Sequence, residues 1–323
     1  MPYYPEKRPD LAEREKLEKA AQQRKKLLRL FIVLPACALI AWGVTGLAPY
    51  ISDLSASRQT SSELREIYDR PEQEPAELPA EITETPAPAV TAVPVTAAPA
   101  AVETPAPASV LLPEVPYPGN PGAVISGRFR DLRKKGKYIV GWLRMADVDE
   151  PVVLKDNTYF LDHDAEGKKN VNGAIFMDSS ARLETRPYTV ILYGHNMKSG
   201  NMFGRLRKFR DISYLQKNRF ITFDTMYEDG RYVVFAAAEI NTVPGTSAYF
   251  DIWSLNDRTA DGRTEAIRKL KIRSLHGFTA DVQPEDQILL LVTCVEDNDY
   301  RLVVAARRMR DNETENSLTY RSN

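Results

Sequence analysis

The chain has 323 residues and a formal net charge of -1, so it lacks the basic field that nucleic-acid binding requires. Only two cysteines occur, Cys37 and Cys294, and the first lies in an apolar run, which excludes a disulfide framework. The length has room for two average domains, but the composition changes along the chain. We therefore expect one folded unit behind a long non-globular N-terminal region.

The first 51 residues have the pattern of a membrane anchor. Residues 1–29 contain nine Lys and Arg against five Asp and Glu, and the run from Leu30 to Ile51 has no charged residue. As a helix this run is about 33 Å long, against a hydrocarbon core of about 30 Å. The positive-inside rule then predicts a cytoplasmic N-terminus and an extracellular C-terminal part. A cleaved secretory signal is the alternative, but its apolar region is usually shorter, about 7 to 15 residues.

Residues 52–121 are predicted to be an extracellular linker. Between Pro71 and Pro121 lie 13 of the chain's 22 prolines, mixed with Ala, Thr, Val and Glu. Such a composition cannot build a core, and we expect it to be disordered and extended. At about 3.1 Å per residue it can carry a domain far from a bilayer and into a cell wall.

Residues 122–310 are predicted to form the folded domain, followed by a polar tail at 311–323. Amphipathic patterns predict helices at 124–136 and at Arg263–Leu275. Glu228-Asp229-Gly230 is typical of a hairpin turn. Short apolar runs predict strands at Tyr138–Leu143, Val152–Leu154, Ala174–Met177, Thr189–Tyr193, Phe220–Asp224, Arg231–Ile240, Gln287–Cys294 and Leu302–Arg307. This pattern favours a mainly β domain, a barrel or sandwich with decorating helices.

Three histidines limit the choice of a catalytic base. His163 lies in a polar loop, where a surface role is sufficient, and His276 follows a predicted helix, where it complements the helix dipole. His195 instead follows the apolar strand TVILYG directly and opens a polar loop. Strand ends of this kind often face a cleft, so His195 is the candidate base. A structural, hydrogen-bonded histidine is the competing interpretation.

Cys294 ends the apolar run ILLLVTC, where inert packing is the usual role of a cysteine. Its position before the polar loop VEDNDY makes a reactive role the better hypothesis. Arg301 opens the next predicted strand, and an antiparallel pairing of the two strands would place it beside Cys294. A guanidinium there favours thiolate and can donate to an oxyanion. The alternative for Arg301 is a surface residue that balances Glu296, Asp297 and Asp299.

YGHNM, LVTC and the arginine that follows resemble the sortases, the cell-surface cysteine transpeptidases of Gram-positive bacteria. The family's Thr-Leu-x-Thr-Cys motif is matched by Leu290 to Cys294, with Leu in place of the first Thr. GWLRMADVDEPVV, NGAIFMD and ILYGHNMKSGNMFGRLRKF are similar to class B sortases, as is a helical insertion at 256–275. The resemblance extends over nearly all of residues 122–310. It implies a sortase-type β-barrel of about eight strands with an N-terminal helix and decorating helices.

The resemblance also implies the chemistry. Cys294 attacks a threonine carbonyl in the C-terminal sorting signal of a secreted protein and forms a thioacyl enzyme. His195 protonates the leaving amine and then activates the amine of a peptidoglycan precursor or a pilin, while Arg301 stabilises the oxyanion. No cofactor or metal is expected. Substrate contacts are expected from Asn157, Leu161, Tyr249, Phe250, Thr293 and Glu296.

Some of these assignments have structural alternatives. Leu161, Tyr249 and Phe250 are equally well explained by core packing, and Asn157 by a turn. An L,D-transpeptidase also uses Cys, His and Arg to crosslink peptidoglycan, but its cysteine typically lies in a His-Gly-Cys-x-Arg-like cluster, which is missing around Cys294. The non-enzymatic alternative is a catalytically degenerate, membrane-anchored scaffold that binds sorting signals or pilins. The intact Cys, His and Arg set argues against it.

Overall fold

The structure is a computed structural model that describes residues 16, 19, 22–26, 31, 50–71, 110–277, 280–294 and 299–318, except for the side chain of Cys294. The chain divides into two compact units, Met1–Ala56 and Ser57–Asn323. The described residues of the first unit are helical. Within the described ranges, no helix is both long enough and apolar enough to cross a membrane. Most of the predicted span Leu30–Ile51, and linker residues 72–109, lie outside these ranges.

Eight strands of the second unit close into a barrel, which confirms the predicted architecture. Around the barrel their order is β1-β2-β3-β4-β7-β8-β6-β5, and β5 pairs with β1 to complete the ring. Two pairs, β2–β3 and β4–β7, are parallel, and the others are antiparallel. The strands are β1 (Ile139–Met145), β2 (Val148–Val153), β3 (Ile175–Met177), β4 (Thr189–Tyr193), β5 (Phe220–Thr225), β6 (Arg231–Asn241), β7 (Ile288–Cys294) and β8 (Tyr300–Arg308).

The main departure from the predicted strands is at the first hairpin. The prediction begins the second strand at Val152, whereas β2 begins at Val148, which pairs with Met145 across a tight turn. The polar residues Asp149 and Glu150 interrupt the hydrophobic pattern of this strand, although both residues pair with β1. The hairpin predicted between β5 and β6 is confirmed: the Thr225 amide donates to the carbonyl of Glu228 at 2.8 Å.

Two hydrophobic clusters lie on opposite faces of the same strands. The first takes buried residues from all eight strands and fills the barrel, as alternation along β8 illustrates with Leu302, Val304 and Ala306. The second takes the intervening residues, such as Val303 and Ala305, together with residues of β4, β6 and β7. It lies on the outer face of the barrel. The residues of β8 therefore contribute to both cores, which explains its continuous apolar sequence.

Helices cover the second cluster and both flanks of the barrel. They are α1 (residues 57–68 of the second unit), α2 (Gly127–Lys135), α3 (Ile212–Lys217) and α4 (Ala260–Ile272), with 3-10 helices at Tyr159–Leu161, Phe203–Arg210 and Ile252–Asn256. The α4 helix begins three residues earlier than predicted, because the Thr259 hydroxyl accepts a hydrogen bond from the Gly262 amide and caps it. Its buried residues Arg263, Ala266, Ile267 and Leu270 recur at helical spacing and face the second cluster.

The predicted linker boundaries need correction, because both flanks of residues 72–109 pack on the barrel. Before this segment, Leu64 and Tyr68 of α1 are buried one turn apart. Tyr68 stacks on Trp142 of β1 with ring centroids 4.5 Å apart, and its hydroxyl donates to Asp224 of β5. After this segment, Leu112 and Tyr117 are buried as well. The prediction missed α1 because its buried large side chains are two, Leu64 and Tyr68, which is too few for a clear hydrophobic pattern.

The predicted polar tail is also part of the domain where it is described. Arg307, near the end of β8, is fully buried and forms a two-pronged ion pair with Glu313, at 2.5 and 2.7 Å. This ion pair offsets the cost of burying the guanidinium. The folded domain therefore extends beyond residue 310.

Candidate active site

The end of β4 positions His195. Gly194 separates His195 from the strand, and only glycine fits there, because a Cβ atom would lie 2.8 Å from the ring of Phe203. The Nε2 atom of His195 lies 2.6 Å from the carbonyl oxygen of Leu161. A carbonyl oxygen can only accept, so Nε2 carries the proton in this arrangement. The loop that contains Leu161 thus holds the imidazole in a defined orientation.

The pairing of β7 with β8 places Cys294 directly opposite Arg301 in the antiparallel register. This confirms the predicted juxtaposition of the two backbone positions. Directly opposed residues in an antiparallel pair lie on one face of the sheet, with Cα atoms about 4.5 to 5.5 Å apart. The position of Cys294 is therefore next to the guanidinium-bearing residue.

The parallel pairing of β4 with β7 brings His195 to the same place. Tyr193 is paired with Val292, and the Gly194 amide donates to the Val292 carbonyl at 3.3 Å, so the parallel register, continued past the end of β4, brings His195 level with Cys294. The Thr293 hydroxyl, 2% exposed, donates to the carbonyl of Gly194 at 2.8 Å and ties the two strand ends together. Three neighbouring strands thus present the three predicted catalytic positions in one row.

Arg301 lies half-buried at the start of β8, on the face that carries Val303 and Ala305. Its Nη1 donates to its neighbour's carbonyl, that of Tyr300, at 2.8 Å. The positive charge of Arg301 also acts on the pKa of Tyr193. Burial and the adjacent carboxylate of Asp178 raise the pKa of Tyr193 well above its usual range, and the charge of Arg301 opposes them. Tyr193 is therefore a neutral hydrogen-bond donor beneath the site.

The predicted substrate residues differ in their surroundings. Asn157 is exposed, and its side-chain oxygen accepts from the amide of Ser179 at 2.8 Å. Leu161 is 42% exposed beside His195. Tyr249 is half-buried, whereas Phe250 is 4% exposed and belongs to the second cluster. The Phe250 side chain thus offers little surface to a ligand. Glu296 lies outside the described residues.

Sequence reasoning missed three residues beside this site: Asp178, Tyr193 and Trp253. The carboxylate of Asp178 accepts from the Tyr193 hydroxyl at 2.9 Å and from the Trp253 Nε1 at 3.4 Å. Burial acts to raise the pKa of Asp178, but the hydrogen bonds from Ser180, Tyr193 and Trp253 outweigh it and leave the pKa below its usual range. Asp178 is therefore an ionised acceptor. The available signal was its position directly after the strand NGAIFM, where polar side chains meet a cleft.

Comparison with known proteins agrees with this barrel. Residues 144–309 match the Sortase domain family, and the chain belongs to the sortase family. It is 31% identical over 194 residues to Sortase B of Listeria monocytogenes, an alignment that covers 58% of this chain and 76% of that protein. It is 29% identical over 186 residues to Sortase B of Staphylococcus aureus, which covers 56% of this chain and 74% of that protein.

Solved structures give the same result. Sortase B from B. anthracis in complex with AAEK1 has a TM-score of 0.57 and 25% identity, over 80% of this chain and 99% of that chain. The Staphylococcus aureus sortase B-substrate complex has a TM-score of 0.51 and 26% identity, over 58% of this chain and 87% of that chain. Within its family the chain is thus a class B sortase, a cysteine transpeptidase.

Proposed function

We propose that this enzyme cleaves a C-terminal sorting signal of secreted proteins at Cys294 and transfers the acyl group to a cell-wall or pilin amine. The observation that carries the proposal is the row of strand ends, in which Cys294 is opposite Arg301 and level with His195. Nucleophile, oxyanion donor and proton carrier must lie within contact of one carbonyl group, and the register of the three strand ends supports this assignment.

The proposed reaction has two halves. The Cys294 thiolate attacks the carbonyl carbon of a threonine, and the oxyanion that forms accepts hydrogen bonds from the Arg301 guanidinium. The C–N bond breaks as His195 gives its proton to the departing amine, which leaves a thioester on the enzyme. An incoming amine then loses a proton to His195 and attacks the thioester. A new amide bond forms, and the thiolate is regenerated.

Structures of related enzymes support the choice of donor and acceptor. One is a complex of Staphylococcus aureus sortase B with a substrate, and another is a sortase B complexed with triglycine, a peptide that carries a free amine. We propose a sorting-signal peptide and an amine as the two substrates of this chain. Asn157, Leu161, Tyr249 and Glu296 are proposed to contact the peptide, with Thr293 and the buried Phe250 supporting the groove.

The setting that we propose for this reaction is the outer surface of a Gram-positive cell. The uncharged run from Leu30 to Ile51 would anchor the enzyme, with residues 1–29 cytoplasmic and the catalytic unit outside. The proline-rich segment would give the barrel reach into the wall.

The test is cleavage and transfer with fluorogenic peptides that carry the C-terminal sorting signals encoded by the same genome, with and without triglycine. We expect Cys294→Ala to abolish turnover, and mass spectrometry to detect a thioester on Cys294 in the wild type. Arg301→Ala and His195→Ala should each lower kcat/KM by at least about a hundredfold. His276→Ala is the matched control, since its Nε2 also contacts a backbone carbonyl, that of Phe209, at 2.8 Å.

Equal cleavage by the wild type and Cys294→Ala would refute the nucleophile, and a wild type that cleaves no sorting signal would refute the proposed reaction. If the wild type cleaves no sorting signal but crosslinks peptidoglycan stem peptides, the L,D-transpeptidase alternative is favoured. Peptide binding without cleavage would favour a scaffold.

A further inference from the structure

A buried carboxylate lies under the rim of the proposed groove. Asp178 directly follows β3 and is 3% exposed, and its amide donates to the carbonyl of Ile191 in β4 at 2.9 Å. Its backbone is therefore fixed by the barrel. The catalytic reaction proposed above does not use this carboxylate, so its place in the site needs another explanation.

The two oxygens of Asp178 have different partners. Oδ1 accepts from the amide and hydroxyl of Ser180, at 2.9 and 2.5 Å, which closes the local turn. Oδ2 accepts from three separate segments: Tyr193 at 2.9 Å, Asn157 at 3.3 Å and Trp253 at 3.4 Å. One oxygen atom thus joins the end of β4 to the loops on either side of it.

Trp253 is the unusual member of this group because it is 53% exposed. It lies in the 3-10 helix Ile252–Asn256, whose Ile252 and Leu255 are buried in the second cluster. Those two residues hold the 3-10 helix on the core while the indole lies outside it, and the Nε1 bond to Asp178 fixes one edge of the ring. An exposed tryptophan held in one orientation offers a rigid apolar surface at a small entropic cost.

The position of the indole is also specific. Its Nε1 shares an acceptor with the amide of Asn157, on the loop that carries Leu161, and with Tyr193, two residues before His195. The distances to the shared oxygen require these three polar groups to lie within about 7 Å of one another. Trp253 is therefore beside the catalytic row.

We propose that Trp253 is a peptide-contacting residue of the groove and that Asp178 is the positioning residue that holds it in line with Asn157 and Tyr193. The ligand is an extended peptide, whose apolar side chains and backbone pack on the indole face. This inference rests on the proposed function, since it assigns a contact to the sorting-signal peptide.

The chemistry of Asp178 makes the proposal testable with an isosteric change. In Asp178→Asn, one oxygen is replaced by an NH2 group, which donates and does not accept. If the NH2 group faces Ser180, it places a second donor against the Ser180 amide, which then has no acceptor. If it faces Trp253, the indole N–H has no acceptor. Either arrangement leaves a donor unpaired, and the side-chain volume is unchanged.

The experiment compares Asp178→Asn, Trp253→Ala, Trp253→Phe and the double variant Asp178→Asn/Trp253→Ala in the full chain. We measure KM and kcat with a cleavable sorting-signal peptide, and the rate at which iodoacetamide alkylates Cys294, followed by peptide mapping. Trp253→Ala should raise KM at least about fivefold, and Trp253→Phe, which loses the N–H and part of the ring surface but keeps an aromatic face, by less. The alkylation rate should stay within about twofold, because the catalytic row is held by strand register.

The link between the two residues is read from the double variant. Asp178→Asn should raise KM by a smaller factor in the Trp253→Ala background than in the wild type, because part of its effect is the loss of the indole's orientation. Asp224→Asn is the matched control. Asp224 is another buried carboxylate that accepts from a tyrosine, Tyr68, so this variant should lower Tm and leave KM unchanged.

Four outcomes would overturn the proposal. An unchanged KM in Trp253→Ala would refute the peptide contact. If Asp178→Asn raises KM by the same factor in the wild type and in the Trp253→Ala background, the link between Asp178 and Trp253 is refuted. If Asp178→Asn does not fold, Trp253→Phe tests the hydrogen bond between Trp253 and Asp178 instead. An unchanged KM in Trp253→Phe would then refute the link between the two residues. A wild type that cleaves no sorting signal refutes the proposed function itself and this inference with it, and is thus distinguishable from the other results.

Discussion

The contact between α1 and the barrel should depend on pH through Glu150. The Ser61 hydroxyl of α1 donates to the carboxylate of Glu150 in β2 at 2.5 Å. Burial raises the pKa of Glu150 from 4.5 to about 7, although the hydrogen bond from Ser61 and the charge of Arg65 act against it. Folding therefore favours the protonated carboxyl.

The direction and size of the effect follow from this difference. Between pH 4.5 and about 7 the folded chain binds more protons at Glu150 than the unfolded chain does. The free energy of unfolding therefore falls as the pH rises through this range. At about 1.4 kcal/mol per pH unit, the loss is at most about 3.5 kcal/mol. Glu150 keeps some solvent contact, so we expect about 1 to 2 kcal/mol.

Urea unfolding at several values between about pH 5 and pH 8 measures this effect for the wild type and Glu150→Gln. The variant has no titrating group at this position and can still accept from Ser61. Its stability relative to the wild type should increase by about 1 to 2 kcal/mol across the range. Ser61→Ala removes the hydrogen bond that acts against the raised pKa of Glu150. Its free energy of unfolding should therefore fall more steeply with pH than that of the wild type. Parallel profiles for the wild type and Glu150→Gln would refute the raised pKa.

Three further changes test the packing around the site. Tyr68→Ala removes the ring stacked on Trp142 and should lower the free energy of unfolding by about 3 to 5 kcal/mol, whereas a loss below about 1 kcal/mol in urea unfolding would mean that α1 contributes little. Arg263→Met removes a fully buried guanidinium that donates to the carbonyls of Pro284 and Asp286 at 2.6 and 2.8 Å. It should destabilise the fold by about 3 kcal/mol or more, because several buried carbonyl oxygens lose their donor, and an unchanged Tm contradicts this. Thr293→Val removes the bond to Gly194 and should cost only about 1 kcal/mol of stability. It should nevertheless lower kcat, since it loosens the end of β7 from β4, and an unchanged kcat in peptide cleavage would show that register alone aligns the strand ends.

Local patterns in the sequence were sufficient for much of the barrel. The apolar runs of β4, β7 and β8 each contribute to a core, and burial of this kind is visible as hydrophobicity. The turn at Glu228 uses residues that favour a hairpin irrespective of the fold. Elements with a short apolar pattern were missed for the same reason: in β2 the polar residues Asp149 and Glu150 follow Val148, and Leu64 and Tyr68 are the buried large side chains of α1.

For the candidate site, the sequence by itself determined that Cys294 and Arg301 are neighbours, because a short loop between antiparallel strands returns the chain to the point where it left. Only the tertiary structure decided that His195 lies level with them. That depends on the parallel pairing of β4 with β7, two strands far apart in the chain, and no local pattern encodes such a pairing. The convergence of Tyr193, Asn157 and Trp253 on Asp178 is of the same kind. Its physical cause is that a buried carboxylate needs hydrogen-bond donors, and here the fold supplies them from three separate segments of the chain.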